Sequence, residues 1–221
     1  GDPDGAFGTF KELLQRLDDP YERAEELEAM AAAAERWDDV AQFYEELLVG
    51  GRGGPDFVNR LAEICQNQLS DIQRAMRIFE LAAARDPNDE TYDAPLVAMA
   101  GQAEAWETLL GHHRSMAVGA TDPERIIAQR RAAAELLLTH LDRPEEASRE
   151  LEAAADLAPE DQELAEALAA ALEAAGERKG LIAHYQAWLA RASEDARPAL
   201  RCRLARIMLT DVVDAAEGIR L

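Results

Sequence analysis

The sequence predicts an all-α solenoid of about six stacked helical hairpins. Three observations carry this expectation. First, a pattern recurs every 72 residues or so: Ala75, Phe79, Ala82 and Pro87 return as Ala147, Leu151, Ala154 and Pro159, with the same internal spacings of four, three and five. The stretch 61–75 (LAEICQNQLSDIQRA) lies likewise on 133–147 (AAELLLTHLDRPEEA) and, at an offset one residue shorter, on 204–218 (LARIMLTDVVDAAEG). Second, apolar residues fall at helical spacing along the chain, with no credible strand. Third, the chain is rich in Ala, Leu and Glu and only 5% aromatic, which favours helices and a core of many small contacts.

Taken in order, Phe7, Phe10, Leu13, Leu14 and Leu17 mark a short amphipathic helix that stops at Asp18-Asp19-Pro20. Residues 1–19 are thus the end of a preceding repeat or a cap, and 20–221 the repeat array. A helix with a narrow alanine face spans 21–35, and Trp37-Asp38-Asp39 turns it into a helix over 38–49. Gly50-Gly51-Arg52-Gly53-Gly54-Pro55 is the most flexible segment by composition, a loop. Helices follow over 56–69 and 71–85, closed by Asp86-Pro87-Asn88-Asp89. The stretch 90–101 is the weakest helix, because Pro95 must sit in a first turn or break it. A helix over 104–117 leads to a second loop, 117–123, in which Thr121 or Asp122 is the N-cap. Further helices are expected over 123–140, 144–157, 160–175, 178–193 and 197–211, separated by Pro144, Pro159, Gly176 and Pro198. A truncated last repeat would begin its second helix at 213. Connections this short make consecutive helices antiparallel neighbours. An amphipathic pair cannot bury its apolar face alone, so the pairs must stack.

The small–large–small–Pro series of Ala75, Phe79, Ala82 and Pro87 resembles the second helix of the tetratricopeptide repeat (TPR), a helix–turn–helix unit of 34 residues. The small residue lets two helices approach, the large one fills the gap to the next hairpin, and the proline ends the helix. The intervening hairpins are more divergent: Trp37, Val40, Tyr44 and Leu47 recur as Trp106, Leu109, His113 and Met116, then as Arg178, Leu181, Tyr185 and Trp188. Val40, Ala75, Leu109, Ala147, Leu181 and Gly218 then mark one site in six successive repeats, at spacings of 35, 34, 38, 34 and 37. Residues 168–181 fit the family's first helix and turn, with Gly176 at the turn. The departures are one-residue insertions before Ala75 and Ala147, larger residues or Gly at the small position, and missing prolines in the odd repeats.

The resemblance implies a right-handed superhelix whose first helices line a concave groove. It places Asn59, Glu63, Gln66 and Asn67 in that groove from the second repeat. Arg131, Glu135 and Thr139 come from the fourth, and Arg206 and Thr210 from the sixth. Any one of these positions is equally what plain solvent-facing helix surface looks like. Chaperone-binding members clamp a terminal carboxylate with lysine and asparagine. Asn59 is at a compatible site, but no lysine occurs between Lys11 and Lys179, so that role is rejected.

Charge narrows the partner. The formal net charge is −21, from 44 acidic and 23 basic residues, which repels phosphate backbones and anionic membranes and favours basic partners. Nearly all positive charge is arginine, suited to bidentate pairing with carboxylates. No apolar run approaches the ~20 residues of a membrane span. Cys65 and Cys202 lie several repeats apart in a linear array, beyond the ~7 Å reach of a disulfide. A reducing compartment such as the cytoplasm is therefore expected. Abundant Ala and Arg with almost no Lys point to a GC-rich bacterial genome. The chain opens with Gly and reads as an excised fragment from which a targeting segment could have been removed.

Reactive chemistry is scarce. His113 falls at a large core position, and His112, His140 and His184 lie in different repeats with no further ligand at metal-binding spacing. The Gly-Gly-Arg-Gly-Gly run lacks the Lys-Ser/Thr ending and preceding strand of a phosphate loop. Cys65 sits on the packing side of a first helix and is expected to be inert. Trp37 and Trp106 occupy matching turn positions and are expected to pack the hairpins, not to stack on ligands. No catalytic residues, cofactor or metal are expected. The leading reading is a non-enzymatic scaffold that binds a peptide or partner protein. The alternatives are a regulatory, localisation or spacer segment of a larger multidomain protein, and a self-assembling homo-oligomeric array.

Overall fold

The computed structural model describes residues 3–16 and 23–218, with side chains at 8–14, 16 and 23–209. Among these residues twelve helices form and no strand does. Contacts group the chain into two compact units, Gly1–Ala120 and Thr121–Leu221, where the sequence reading separates only 1–19 from 20–221. In the first unit α1 (Pro3–Arg16) precedes three hairpins: α2 (Ala24–Ala34) with α3 (Trp37–Val49), α4 (Pro55–Asn67) with α5 (Ile72–Ala83), and α6 (Asp93–Ala103) with α7 (Trp106–Gly119). The second unit holds α8 (Pro123–Thr139) with α9 (Pro144–Ala155), α10 (Gln162–Ala174) with α11 (Arg178–Arg191), and α12 (Arg197–Gly218). The expected stop at Asp18-Asp19-Pro20 lies outside the described residues. Elsewhere, through α11, the helix bounds fall within about three residues of expectation, the usual scatter of helix ends.

The repeat register is written into the core. Val40, Ala75, Leu109, Ala147 and Leu181, the equivalent small or medium sites, are each at most 5% exposed. The large position is filled by Tyr44, Phe79, His113, Leu151 and Tyr185, none more than 8% exposed. Leu47, Ala82, Met116 and Ala154 continue the series, also buried, and Trp188 in the fifth hairpin is half-buried. Within each unit the helical hairpins pack on one another, each burying the face that its neighbour covers.

Local chemistry starts and ends the helices. Pro55, Pro123 and Pro144 stand at first helical positions, where a missing N–H costs nothing. Pro95 likewise falls in the first turn of α6, so that helix survives it. Asp122 caps α8 by accepting the Glu124 N–H at 3.2 Å. Asp71 caps α5 and Asp161 caps α10 in the same way. Trp37-Asp38-Asp39 forms the first turn of α3, one residue earlier than the expected start at 38, where two carboxylates are stabilised at a helix N-terminus.

One residue in the left-handed region makes each hairpin turn. Glu35 (φ 55°), Ser70 (φ 55°), Glu104 (φ 50°) and Asp142 (φ 52°) sit after α2, α4, α6 and α8, and Gly176 (φ 66°) sits after α10. At the position equivalent to Ser70 and Asp142, the third copy carries Val213. A β-branched residue is strongly disfavoured in that conformation. The expected break between 211 and 213 is accordingly absent, and α12 runs unbroken to Gly218.

The glycine loop at 50–54 is more tightly held than its composition predicts. Gly51 (φ 81°) and Gly53 (φ 93°) take left-handed conformations. A Cβ on Gly53 would lie 2.3 Å from the Phe57 ring. The Arg85 guanidinium donates to the Leu48 carbonyl and, at 3.4 Å, to that of Gly53. Pro87, beyond α5, packs on the end of α7: a Cβ on Gly119 would come 2.8 Å from its ring.

Candidate functional site

The candidate surface is the outer face of the first helices, and its residues follow from helix geometry. Side chains four apart share one face of a helix. In the first unit, Asn59, Glu63 and Asn67 form such an exposed stripe on α4, while Phe57, Val58, Leu61, Ala62, Ile64 and Cys65 are buried. In the second unit, Arg131, Glu135 and Thr139 repeat the stripe on α8, with Ala133, Ala134, Leu136 and Leu137 buried. Arg206 is exposed on α12. Thr210 belongs to α12, but its side chain lies outside those described.

Two of the candidate side chains, Gln66 and Arg131, bridge neighbouring first helices, as does Arg203. Gln66 on α4 donates to Gln102 on α6 at 3.1 Å. Arg131 on α8 pairs with Glu163 on α10 at 3.2 Å, and Arg203 on α12 reaches Glu166 on α10 at 3.7 Å. Thr139 donates its hydroxyl to its own helix, at the Glu135 carbonyl, 2.7 Å away. Glu63 pairs with Arg60 at 3.2 Å.

Arg60 is a residue that sequence reasoning passed over. It also holds Glu28 of α2 through Nε at 3.0 Å and through Nη2. The Glu28 side chain is only 7% exposed, and the Tyr44 hydroxyl lies 3.5 Å from its second oxygen. A buried carboxylate held by one guanidinium ties α2 to α4. The Glu28 hydrogen bond is the largest influence raising the Arg60 pKa, so this arginine stays charged. Across the second helices, Arg74 on α5 grips Glu45 of α3 with Nε at 2.6 Å and Nη2 at 3.2 Å, and also reaches Asp38. The signal available in the sequence was Glu28 on the apolar face of α2. Its partner, 32 residues away, needed the fold.

The second-helix sides carry two shallow clefts with no counterpart in the sequence reading. One, of about 570 Å³, lies among α9, α10 and α11 and is lined by Arg149, Glu152, His184 and Arg191 together with Leu168 and Leu172. The other, of about 630 Å³, lies between α3 and α5, with Val49 and Leu81 among its lining residues.

The remaining reactive groups are built into the packing. Cys65 is buried, and desolvation pushes its thiol up to about 12 despite Arg74 nearby. Cys202 is exposed, and both cysteines are free. His113 is buried at its expected core position. His112, which the sequence left unassigned, is buried too, with Nε2 3.4 Å from Asp93 Oδ1. His184 places Nε2 2.8 Å from the Ala165 carbonyl, and burial lowers its pKa. Trp37 and Trp106 open α3 and α7, half-buried, and the Trp106 ring covers Gly101. Among the described residues no three His, Cys, Asp or Glu side chains group as a metal site, and no helix is long and apolar enough to cross a membrane.

No family model and no curated protein matches the chain. Among solved structures it is similar to a MamA structure (AMB-1), with 15% identity over 87% of this chain and 96% of that chain and a TM-score of 0.42. It is also similar to a thermophilic TPR protein of Thermus thermophilus, with 21% identity over 85% of this chain and 98% of that chain and a TM-score of 0.39. For PilF of Pseudomonas aeruginosa the identity is 17%, the coverage 100% of this chain and 92% of that chain, and the TM-score 0.42.

Proposed function

We propose that this chain is a non-enzymatic protein-interaction scaffold that holds a peptide or partner-protein segment along a concave groove formed by its first helices. The observation that carries the reading is a stripe of exposed polar side chains, four apart, found once in each unit, Asn59–Glu63–Asn67 in the first and Arg131–Glu135–Thr139 in the second, on helices whose other faces are buried. Gln66 and Arg206 flank these stripes. Fixed helices with mixed donors and acceptors can hydrogen-bond an extended backbone with no backbone ordering cost of their own. The net charge of −21 favours a basic partner, whose association is steered electrostatically and slows with salt.

The test is affinity capture from the native lysate at low and high salt, with the wild-type chain and a variant carrying Asn59→Ala, Glu63→Ala and Arg131→Ala. These side chains are exposed, so thermal unfolding of the variant should match wild type within about 1 kcal/mol. A partner held by wild type at low salt and lost from the variant is expected. A partner held equally by both would move the interface off the first-helix face.

A further inference from the structure

We infer that the cleft among α9, α10 and α11 is a docking site for an arginine side chain on a segment of a partner protein. The repeat places two copies of one cleft in the chain. Val40 of α3 and Ala75 of α5 hold the register sites that Ala147 of α9 and Leu181 of α11 hold later. Counted from those sites, the α3–α5 cleft and the α9–α11 cleft are the same place. Glu45 falls on Glu152, Asp71 on Glu177 and Arg74 on Gly180, and all six line their clefts. In the first copy Arg74 joins the two second helices, its guanidinium held by Glu45 at 2.6 Å. In the second copy the carboxylate remains and the arginine is gone.

The rest of α11 is cut back around that gap. Arg77 and Leu81, which line the first cleft, are replaced by Ala183 and Ala187 in the second. Ile78 becomes His184, whose Nε2 is engaged by the Ala165 carbonyl at 2.8 Å. The second cleft accordingly reaches Ala165, Leu168 and Leu172 of α10, whereas the first is lined by α3, α5 and the capping Asp71. Its volume, about 570 Å³, is that of a small-ligand site. The Glu152, Asp156 and Glu177 carboxylates make no hydrogen bond or ion pair among the described residues. Open carboxylates beside leucines fit a guanidinium on its methylene stem, because the planar fork takes the acid and the stem covers apolar surface. Arg149 and Arg191 line the cleft too, likewise without an ion pair. Arg191 is the counterpart of Arg85, which donates to the Leu48 backbone carbonyl. These two arginines are donors for the carbonyls of an incoming segment, so a peptide fits better than a bare cation. The site lies on the second-helix side and does not depend on the first-helix groove proposed above.

The probe is the blocked dipeptide acetyl-Arg-Leu-amide, titrated into the isotope-labelled whole chain and read by NMR at the Gly180 amide and the Leu172 methyls. Saturable shifts are expected, with a Kd of about 1–10 mM at low salt. Binding should weaken about fivefold or more when citrulline replaces the arginine, and equally in Glu152→Gln. Gly180→Arg should supply the missing guanidinium from within the chain and abolish binding. A Cβ there lies 3.1 Å from Leu172 Cδ2, the end of a side chain that can shift, and thermal melting checks that both variants stay folded. No saturation below about 50 mM, or equal binding of the citrulline dipeptide, overturns the proposal. Binding unchanged in either variant overturns it as well. So does tighter binding of free arginine than of the blocked dipeptide, which would assign the cleft to a small molecule. Shifts confined to the α4 and α8 stripes would also overturn it, by moving the probe to the groove.

Discussion

Phe79→Ala tests the repeat register at its centre. Phe79 is 3% exposed at the large position of the second hairpin, with its ring centroid 6.0 Å from that of Tyr92 in a tilted arrangement. A phenylalanine buries at least about 150 Å² of apolar surface, which at ~25 cal/mol per Å² is about 4 kcal/mol or more. The alanine keeps one carbon, and the unfolded chain already hides part of the ring, which lowers the figure. The tilted aromatic pair and the cavity left behind raise it again, so a loss of about 3–5 kcal/mol is expected. The control is Leu81→Ala, two residues on but 46% exposed, which should cost under about 1 kcal/mol. Urea unfolding in a Trp188→Phe background reads the first unit alone, through Trp37 and Trp106. Equal midpoints for the two alanine variants would refute the register, and with it the assignment of every equivalent site.

Other outcomes follow from the same structure. Arg60→Met should cost about 3 kcal/mol, because it strands the buried Glu28 carboxylate, whereas Glu28→Gln should cost about 1 kcal/mol, because water re-solvates the 40%-exposed guanidinium; matched urea titrations compare them. Gly53→Ala combines a left-handed backbone (φ 93°) with a Cβ 2.3 Å from the Phe57 ring, and should lower stability by about 2–4 kcal/mol in a thermal scan. His184 has a folded pKa below its ordinary 6.5, so the unfolded chain binds the extra proton first. Stability is complete above that value and falls as the pH drops through it toward the folded pKa. Urea midpoints measured from about pH 8 to about pH 5 should show this loss, flattened in His184→Gln.

The fold was legible where the sequence repeats itself. Ala75–Phe79–Ala82 and Ala147–Leu151–Ala154 name the core positions of two hairpins outright, because burial depends on local spacing that recurs. His113 was legible for the same reason, since it occupies a site held elsewhere by Tyr44 and Tyr185. The bridges were not. Arg60 with Glu28, Arg74 with Glu45 and Arg131 with Glu163 join residues about thirty apart, and an acidic chain offers many carboxylates for each guanidinium. Only the packed helices pick one. The turns were half visible: Gly176 is an obvious left-handed residue, but Glu35, Ser70, Glu104 and Asp142 take that conformation because tertiary packing outweighs a local preference. The same reasoning missed the straight run of α12, since the absence of a turn-forming residue at Val213 is a quieter signal than its presence. The polar stripes were legible as positions, because one turn of helix sets which side chains stand four apart.

Those four turn residues also mean that the chain carries unused stability. Each of Glu35, Ser70, Glu104 and Asp142 is exposed and strained, and none contributes to the core. Glycine there would relieve about 1–2 kcal/mol of backbone strain and return about half of it as unfolded-state entropy, a net gain near 0.5–1 kcal/mol per site. The four sites lie in separate hairpins, so the gains should add to about 2–4 kcal/mol. That reserve, released by the four substitutions, stands apart from the proposed first-helix groove. It sets how much destabilisation the groove could absorb while its specificity is redesigned, which makes the scaffold an evolvable one.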